Sequence, residues 1–376
     1  MKKILSAILV IVMIMSVFCI NVSAEEAVEL SPVEKSEIKL RNADADRDGT
    51  YSIADVQLLL KAAAGTGEDK AEYDINSDGY TSVEDALAVL REATGVKPLL
   101  TDAEALELAN AKLNGVKVEK PGFDCVSTAQ CTSMKITQKI TAEGTMAGLI
   151  TGLLKDMNYT DLEYDKYVDK MVAQLESSKD SIRKDKNLTE AQKQAELAEV
   201  DRQIAAMEKS GDTYKDVDRA EKTVVAGNIN GHKNYFPVAG QVEVSSSLTL
   251  ADIEKITYTV IDNEITFDIV MKDYSYTNST YPKTSAGLAD LPYGKVFNLP
   301  YLRGESGSTL IKADYKNGNV KVILDKDTAE ITTAAYSYDY FSNIKAPVQS
   351  NSQEGLTLKV EMSTKMNATV NETFTF

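Results

Sequence analysis

Two stretches near the N-terminus share a spacing that ties short, polar loops to a single kind of chemistry. Asp44-Ala45-Asp46-Arg47-Asp48-Gly49-Thr50-Tyr51-Ser52-Ile53-Ala54-Asp55 puts carboxylates at positions 1, 3, 5 and 12 of a twelve-residue loop, with glycine at position 6. Asp74-Ile75-Asn76-Ser77-Asp78-Gly79-Tyr80-Thr81-Ser82-Val83-Glu84-Asp85 repeats the pattern, with Asn76 at position 3. A hard cation takes roughly six to eight oxygen ligands, and alternate residues of a tight loop turn their side chains inward to supply them. Glycine at position 6 permits the left-handed backbone of the sharp turn. The expected ligands are Asp44, Asp46, Asp48 and Asp55 in the first loop, with the Thr50 carbonyl and Ser52 directly or through water. In the second they are Asp74, Asn76, Asp78 and Asp85, with the Tyr80 carbonyl and Ser82. Magnesium, which demands rigid octahedral geometry, suits such a loop less well than calcium. Two calcium ions are therefore expected.

Each loop runs into a segment of helical apolar period, with Val56, Leu59, Leu60 and Ala63 in the first and Leu87, Val89 and Leu90 in the second. These stripes are expected to pack on one another. Two short helices bury little area alone, so the metal is expected to supply much of the module's folding free energy. Between Ala64 and Asp74 the chain is too short and too glycine-rich for the incoming helix of a full EF-hand, which makes the repeats loop-plus-exit-helix units.

Paired units of this kind resemble the type I dockerin family over roughly residues 38–97. The resemblance implies a calcium-dependent grip on a cohesin domain of a scaffoldin or cell-surface protein, in a cellulosome-like, polysaccharide-degrading assembly. In that family the partner reads loop positions 10 and 11 and the exit-helix surface. Those positions here are Ile53, Ala54 and Lys61 in the first repeat, and Val83, Glu84 and Arg91 in the second. Both position 10–11 pairs depart from the Ser-Thr found in many members, which leaves the cohesin class open.

The chain opens with Lys2 and Lys3, runs apolar from Ile4 to Ile20 and reaches Val22-Ser23-Ala24, the pattern of a secretory signal peptide cleaved after Ala24. A secreted protein with no membrane span after cleavage is expected. A net charge of −16 argues against nucleic acid as a partner. Beyond the leader the cysteines are Cys125 and Cys131; in an oxidising compartment a short disulfide is expected, with free thiols as the alternative.

After Pro98 the Thr101/Glu104 capping box starts a helix that Asn114-Gly115 is expected to stop. Met134, Ile136 and Ile140 mark a strand, and a Lys/Glu/Gln/Ala-rich run at about 160–210 reads as a helical hairpin restarted by the Thr189/Gln192 box. From residue 224 to 376 the chain is β-rich, with hairpin turns expected at Ile261-Asp262-Asn263-Glu264 and Lys316-Asn317-Gly318-Asn319. The expected architecture is a signal peptide (1–24), a leader (25–37), a small all-α module of two calcium repeats (38–97), and an α+β module (98–376) with an antiparallel sheet and a helical-hairpin insertion.

Catalytic chemistry finds little material here. His232 is the only histidine, which removes the usual triads and histidine-rich zinc sites. No catalytic residue stands out, and a ligand-binding or structural role is expected for the large module. Two other readings stay open: a dockerin-borne glycoside hydrolase or esterase, and a half-barrel holding an apolar ligand or lipid. Tyr274, Tyr276 and Tyr281, with Tyr336, Tyr338 and Tyr340, fall mostly at alternate positions and could line one sheet face, as a sugar platform or as ordinary amphipathic strand residues.

Overall fold

The apolar alternation that marks the later strands, with Ile265, Phe267, Ile269 and Met271 on one and Val320, Val322 and Leu324 on the next, gives each strand one face for a core and one for water. The computed structural model describes residues 30–119, 122–225, 246–277, 292–296 and 309–376; the signal segment, His232 and Tyr281 lie outside them. The strands form a ten-stranded antiparallel sheet. They are β1 (Phe123–Glu143), β2 (Tyr159–Glu163), β3 (Asp216–Val224), β4 (Ile253–Ile261), β5 (Glu264–Met271), β6 (Tyr274–Tyr276), β7 (Thr309–Asp325), β8 (Ile331–Lys345), β9 (Gln349–Gln353) and β10 (Leu356–Thr375). The main order is β2-β1-β10-β8-β7-β5-β4, while β3, β6 and β9 pair with β1, β7 and β10. The C-terminal strand lies inside the sheet, paired to β1 on one side and β8 on the other.

The helices are α1 (Pro32–Asn42), α2 (Ile53–Ala63), α3 (Val83–Ala93), α4 (Asp102–Glu119), α5 (Ala147–Met157), α6 (Tyr164–Lys184) and α7 (Glu190–Thr213). Leu106, Ala109 and Leu113 of α4 join the core with Phe267, Val322, Tyr336 and Phe374 of the sheet. The helical hairpin forms as expected, with Thr189 capping α7 and Val200 and Ile204 buried in it.

The expectation of a small all-α module standing ahead of a separate α+β module is not met. The architecture is α+β, and the repeats are built into it. Leu40 of α1 is fully buried in the same apolar cluster as the sheet residues. Tyr258 of β4 donates its hydroxyl to Glu92 at the end of α3 at 2.5 Å and accepts the Leu100 amide at 3.1 Å. Leu40 and the hydrogen bonds of Tyr258 therefore tie the repeats to the sheet, while the repeat helices keep an apolar cluster of their own.

Other expectations change for local reasons. Helix α1 begins at Pro32 under a Ser31/Glu34 capping box, inside the segment expected to be a leader, so the first loop has an incoming helix. Before the second loop there is only a 3-10 turn, Ala71–Tyr73. Helix α4 runs through Asn114-Gly115, because the Asn114 side chain bonds across to Ser246, accepting its amide at 2.8 Å and donating to its carbonyl at 2.9 Å, and does not cap. The Asp262-Asn263 hairpin turn is present, both residues having positive φ. Asn317-Gly318 makes no hairpin. β7 passes straight through it, and three steps from Lys316 to Asn319 face two on β8, a β-bulge. The extra residue switches the buried phase from Ala313 and Tyr315 to Val320, Val322 and Leu324.

Candidate metal centre

The two loops fold alike. Position 4 is left-handed in both, at Arg47 (φ 62°) and Ser77 (φ 60°), and so are Gly49 (φ 94°) and Gly79 (φ 95°). In loop 1 the Asp44 carboxylate accepts the amides of Asp48 at 3.1 Å and Gly49 at 3.0 Å; in loop 2 Asp74 accepts those of Asp78 at 3.0 Å and Gly79 at 2.7 Å. Asp46 accepts the Asp48 amide and Asn76 the Asp78 amide, at 3.1 and 2.9 Å. Each loop thus turns its side chains back onto its own backbone N–H groups. One carboxylate oxygen each from Asp44, Asp46 and Asp48 lies within 4.8 Å of the others.

The sequence-expected ligands divide into two kinds. Asp46 and Asp48, with Asn76 and Asp78, are exposed. Asp55 and Asp85 are fully buried and act as capping-box acids, each accepting the amide of its serine N-cap, Ser52 at 2.7 Å and Ser82 at 2.8 Å. Each also ties the loop's start to its exit helix, through the Asp46 amide to Asp55 (3.1 Å) and the Ile75 amide to Asp85 (2.8 Å). Ser52 and Ser82 accept the Ala54 and Glu84 amides at 3.0 and 3.1 Å, so their hydroxyls serve as helix caps. Thr50 instead donates its hydroxyl to Asp48 at 2.8 Å, and that bond with the Thr50 amide holds the Asp48 carboxyl below its ordinary range. Asp46 is pushed up, first by desolvation and further by the charges of Asp55, Asp48 and Asp44, against the pull of the Asp48 amide.

Helices α2 and α3 bury Val56, Leu59, Ala62, Ala86 and Val89 in one cluster, which meets the expected packing only in part: Leu60 and Leu87 of the expected stripes are exposed, and Ala62 and Ala86 take their place. Ile53, Ala54, Lys61, Val83, Glu84 and Arg91 all lie exposed on the outside of this pair. Ile53 and Val83, at matching first positions of the two helices, are 52% and 62% exposed.

Loop 1 has neighbours that no local pattern announces. The ammonium of Lys326, in the β7–β8 turn, donates to Asp44, and both side chains are sealed from water. The Gly49 carbonyl accepts the Asn263 amide of the β4–β5 turn at 3.3 Å, and Asn263 in turn accepts the Lys326 amide at 2.8 Å. Arg47 pairs with Glu72 at 2.8 Å. One signal was available: Lys326 falls in phase with buried Val320, Val322 and Leu324, so the alternation points it inward.

Loop 2 repeats the loop 1 backbone in a solvent-exposed setting, with Asn76 at the position of Asp46 and its amide donating to Asp78 at 3.0 Å. Loop 1 carries the same oxygen donors, but its first ligand is already matched by a lysine.

Cys125 and Cys131 are both buried on β1 and are not bridged to one another. Six residues of extended strand span about 20 Å, far beyond the roughly 6 Å between the Cα atoms of a disulfide. Tyr336, Tyr338 and Tyr340 do share one sheet face, but it is the core face, where they are 2–3% exposed; Tyr274 and Tyr276 pack at its margin. This arrangement removes the tyrosine platform.

No helix among the described residues is long and apolar enough to cross a membrane. Comparison with family models, with curated proteins and with solved structures finds no match for this chain.

Proposed function

We propose that this is an exported, calcium-dependent docking protein whose loop–helix repeats grip a cohesin-like partner, with the sheet as the body that the repeats carry into an assembly. The observation that carries this reading is the pairing of two identically folded oxygen-lined loops with exit helices whose first turns, at Ile53-Ala54 and Val83-Glu84, stand open to solvent. An apolar residue left exposed at the same position of two repeats, with Lys61, Glu84 and Arg91 also exposed on these helices, has the makings of a contact that combines apolar and charged groups. On this reading calcium bound in the repeats fixes the angle at which an exit helix leaves its loop, and so the shape of that surface.

Surface plasmon resonance of the full chain against a panel of type I cohesin domains tests the reading. Binding is expected in calcium and not in excess chelator, with Ile53→Asp and Val83→Asp together weakening it at least tenfold. Absence of binding to every cohesin in calcium, or equal binding with chelator, overturns it.

A further inference from the structure

Loops 1 and 2 are each other's controls. They share backbone conformation at positions 4 and 6, the ladder of amides on the first carboxylate, and the buried capping acid at position 12. They differ in the charge brought to them. Lys326 is 1% exposed and its ammonium is held against Asp44, which is 0% exposed. The backbone that delivers it is anchored by the Lys326 amide on Asn263, whose own amide sits on Gly49. At position 4, loop 1 has Arg47, which bridges to Glu72 and reaches Asp327 at 3.9 Å, where loop 2 has uncharged Ser77. Among the described residues no lysine or arginine pairs with Asp74, Asp78 or Asp85, and Asn76 in place of a third aspartate lets its amide donate to Asp78 at 3.0 Å.

A buried ammonium needs a compensating anion, and Asp44 is the carboxylate that Lys326 meets. Lys326 therefore does for Asp44 what a metal would otherwise do, and its fixed charge opposes a dication brought within a few ångströms. Parting it from Asp44 would leave an ammonium that is sealed from water without its counter-charge. We infer that Lys326 is the resident cation of loop 1: this loop is a metal-independent clasp between the repeats and the sheet, and calcium, on the reading proposed above, binds at loop 2 alone. The two repeats, alike in sequence, have then divided their labour, one tying the sheet in place and the other answering to calcium.

Calorimetric titration of the full chain with calcium chloride, with native mass spectrometry to count ions, tests this. The unaltered chain is expected to take one calcium, Asp44→Asn to keep one with affinity changed less than threefold, and Asp74→Asn to lose it. Lys326→Gln is expected to raise the count to two; should that variant fail to fold, the two aspartate variants decide alone. Two calcium ions of similar affinity on the unaltered chain, or loss of an ion on Asp44→Asn, overturns the lysine assignment and leaves the docking reading standing. No calcium on the unaltered chain overturns both, whereas failure of the cohesin panel with one calcium bound overturns the docking reading only.

Discussion

Lys326 and Asp44, 282 positions apart, bury their opposite charges on one another and so join the first calcium-type loop to the turn between β7 and β8. Breaking such a pair from one side leaves an uncompensated buried charge, which costs about 3–5 kcal/mol. Lys326→Met is expected to lose that much in urea unfolding carried out in chelator. Asp44→Asn combined with Lys326→Met should lose distinctly less than the sum of the two single changes, since neither charge is then left alone. Additive losses would show that the two groups do not depend on each other.

The glycines at position 6 share a backbone conformation but not a neighbourhood. An added Cβ at Gly79 meets nothing within 4 Å, whereas at Gly49 it would stand 3.0 Å from the Asn263 amide nitrogen. Gly79→Ala should cost only the left-handed strain, about 1–2 kcal/mol. Gly49→Ala should cost more, because it also presses the β4–β5 turn away from the loop and loosens the Asn263 bond to the Gly49 carbonyl. Thermal unfolding of the two variants side by side measures the difference; equal melting temperatures would mean the turn does not bear on loop 1.

The loops, their exit helices and the caps at Ser52 and Ser82 were legible in the sequence because each is decided within about a dozen residues. The long strands were legible for the same reason, through their two-residue period, whereas the short or polar β2, β3, β6 and β9 carry too little alternation to be read. What could not be read is what lies between distant segments. Nothing near Asp44 announces Lys326, and nothing near Leu40 announces that it joins the sheet's core and not a separate module. The Asn317-Gly318 pair failed differently: a left-handed Asn before a glycine serves a hairpin turn and a bulge equally well, and the choice depends on whether β8 lies alongside both halves of the strand. Asn114 is a case of competition, where a distant backbone segment at Ser246 takes the side chain that would have stopped a helix.

Cys125 and Cys131 point to the core from one extended strand, too far apart for a bond to each other. Alkylation of the unfolded but unreduced chain should therefore modify both, with intact mass rising by two adducts at these positions. Labelling only after reduction would place an S–S bond where the strand has no room for one.

Glu372 gives the sheet a pH dependence of its own. Its carboxyl accepts the Ser127 hydroxyl at 3.0 Å across the β1–β10 pair and is pushed up to about 7, mainly by burial, with the Ser127 bond pulling the other way. Its charge also helps to push the buried Tyr336 hydroxyl up, after the larger effect of burial. A carboxyl raised in the folded state holds its proton there at pH values where the unfolded chain has released it. Its contribution is thus neutral below the ordinary glutamate range, destabilising progressively as pH rises from about 4.5 to about 7, and constant above that. Carboxylates held low, such as Asp252 by Lys295 and Thr249 against the opposing effect of burial, act with the opposite sign in a more acidic window. Comparing the unaltered chain with Glu372→Gln isolates the one group. The variant should match it near pH 4.5 and be more stable at pH 8 by on the order of 3 kcal/mol, with the gap opening across that interval. A constant gap at every pH would assign the effect to packing of the amide and not to the proton.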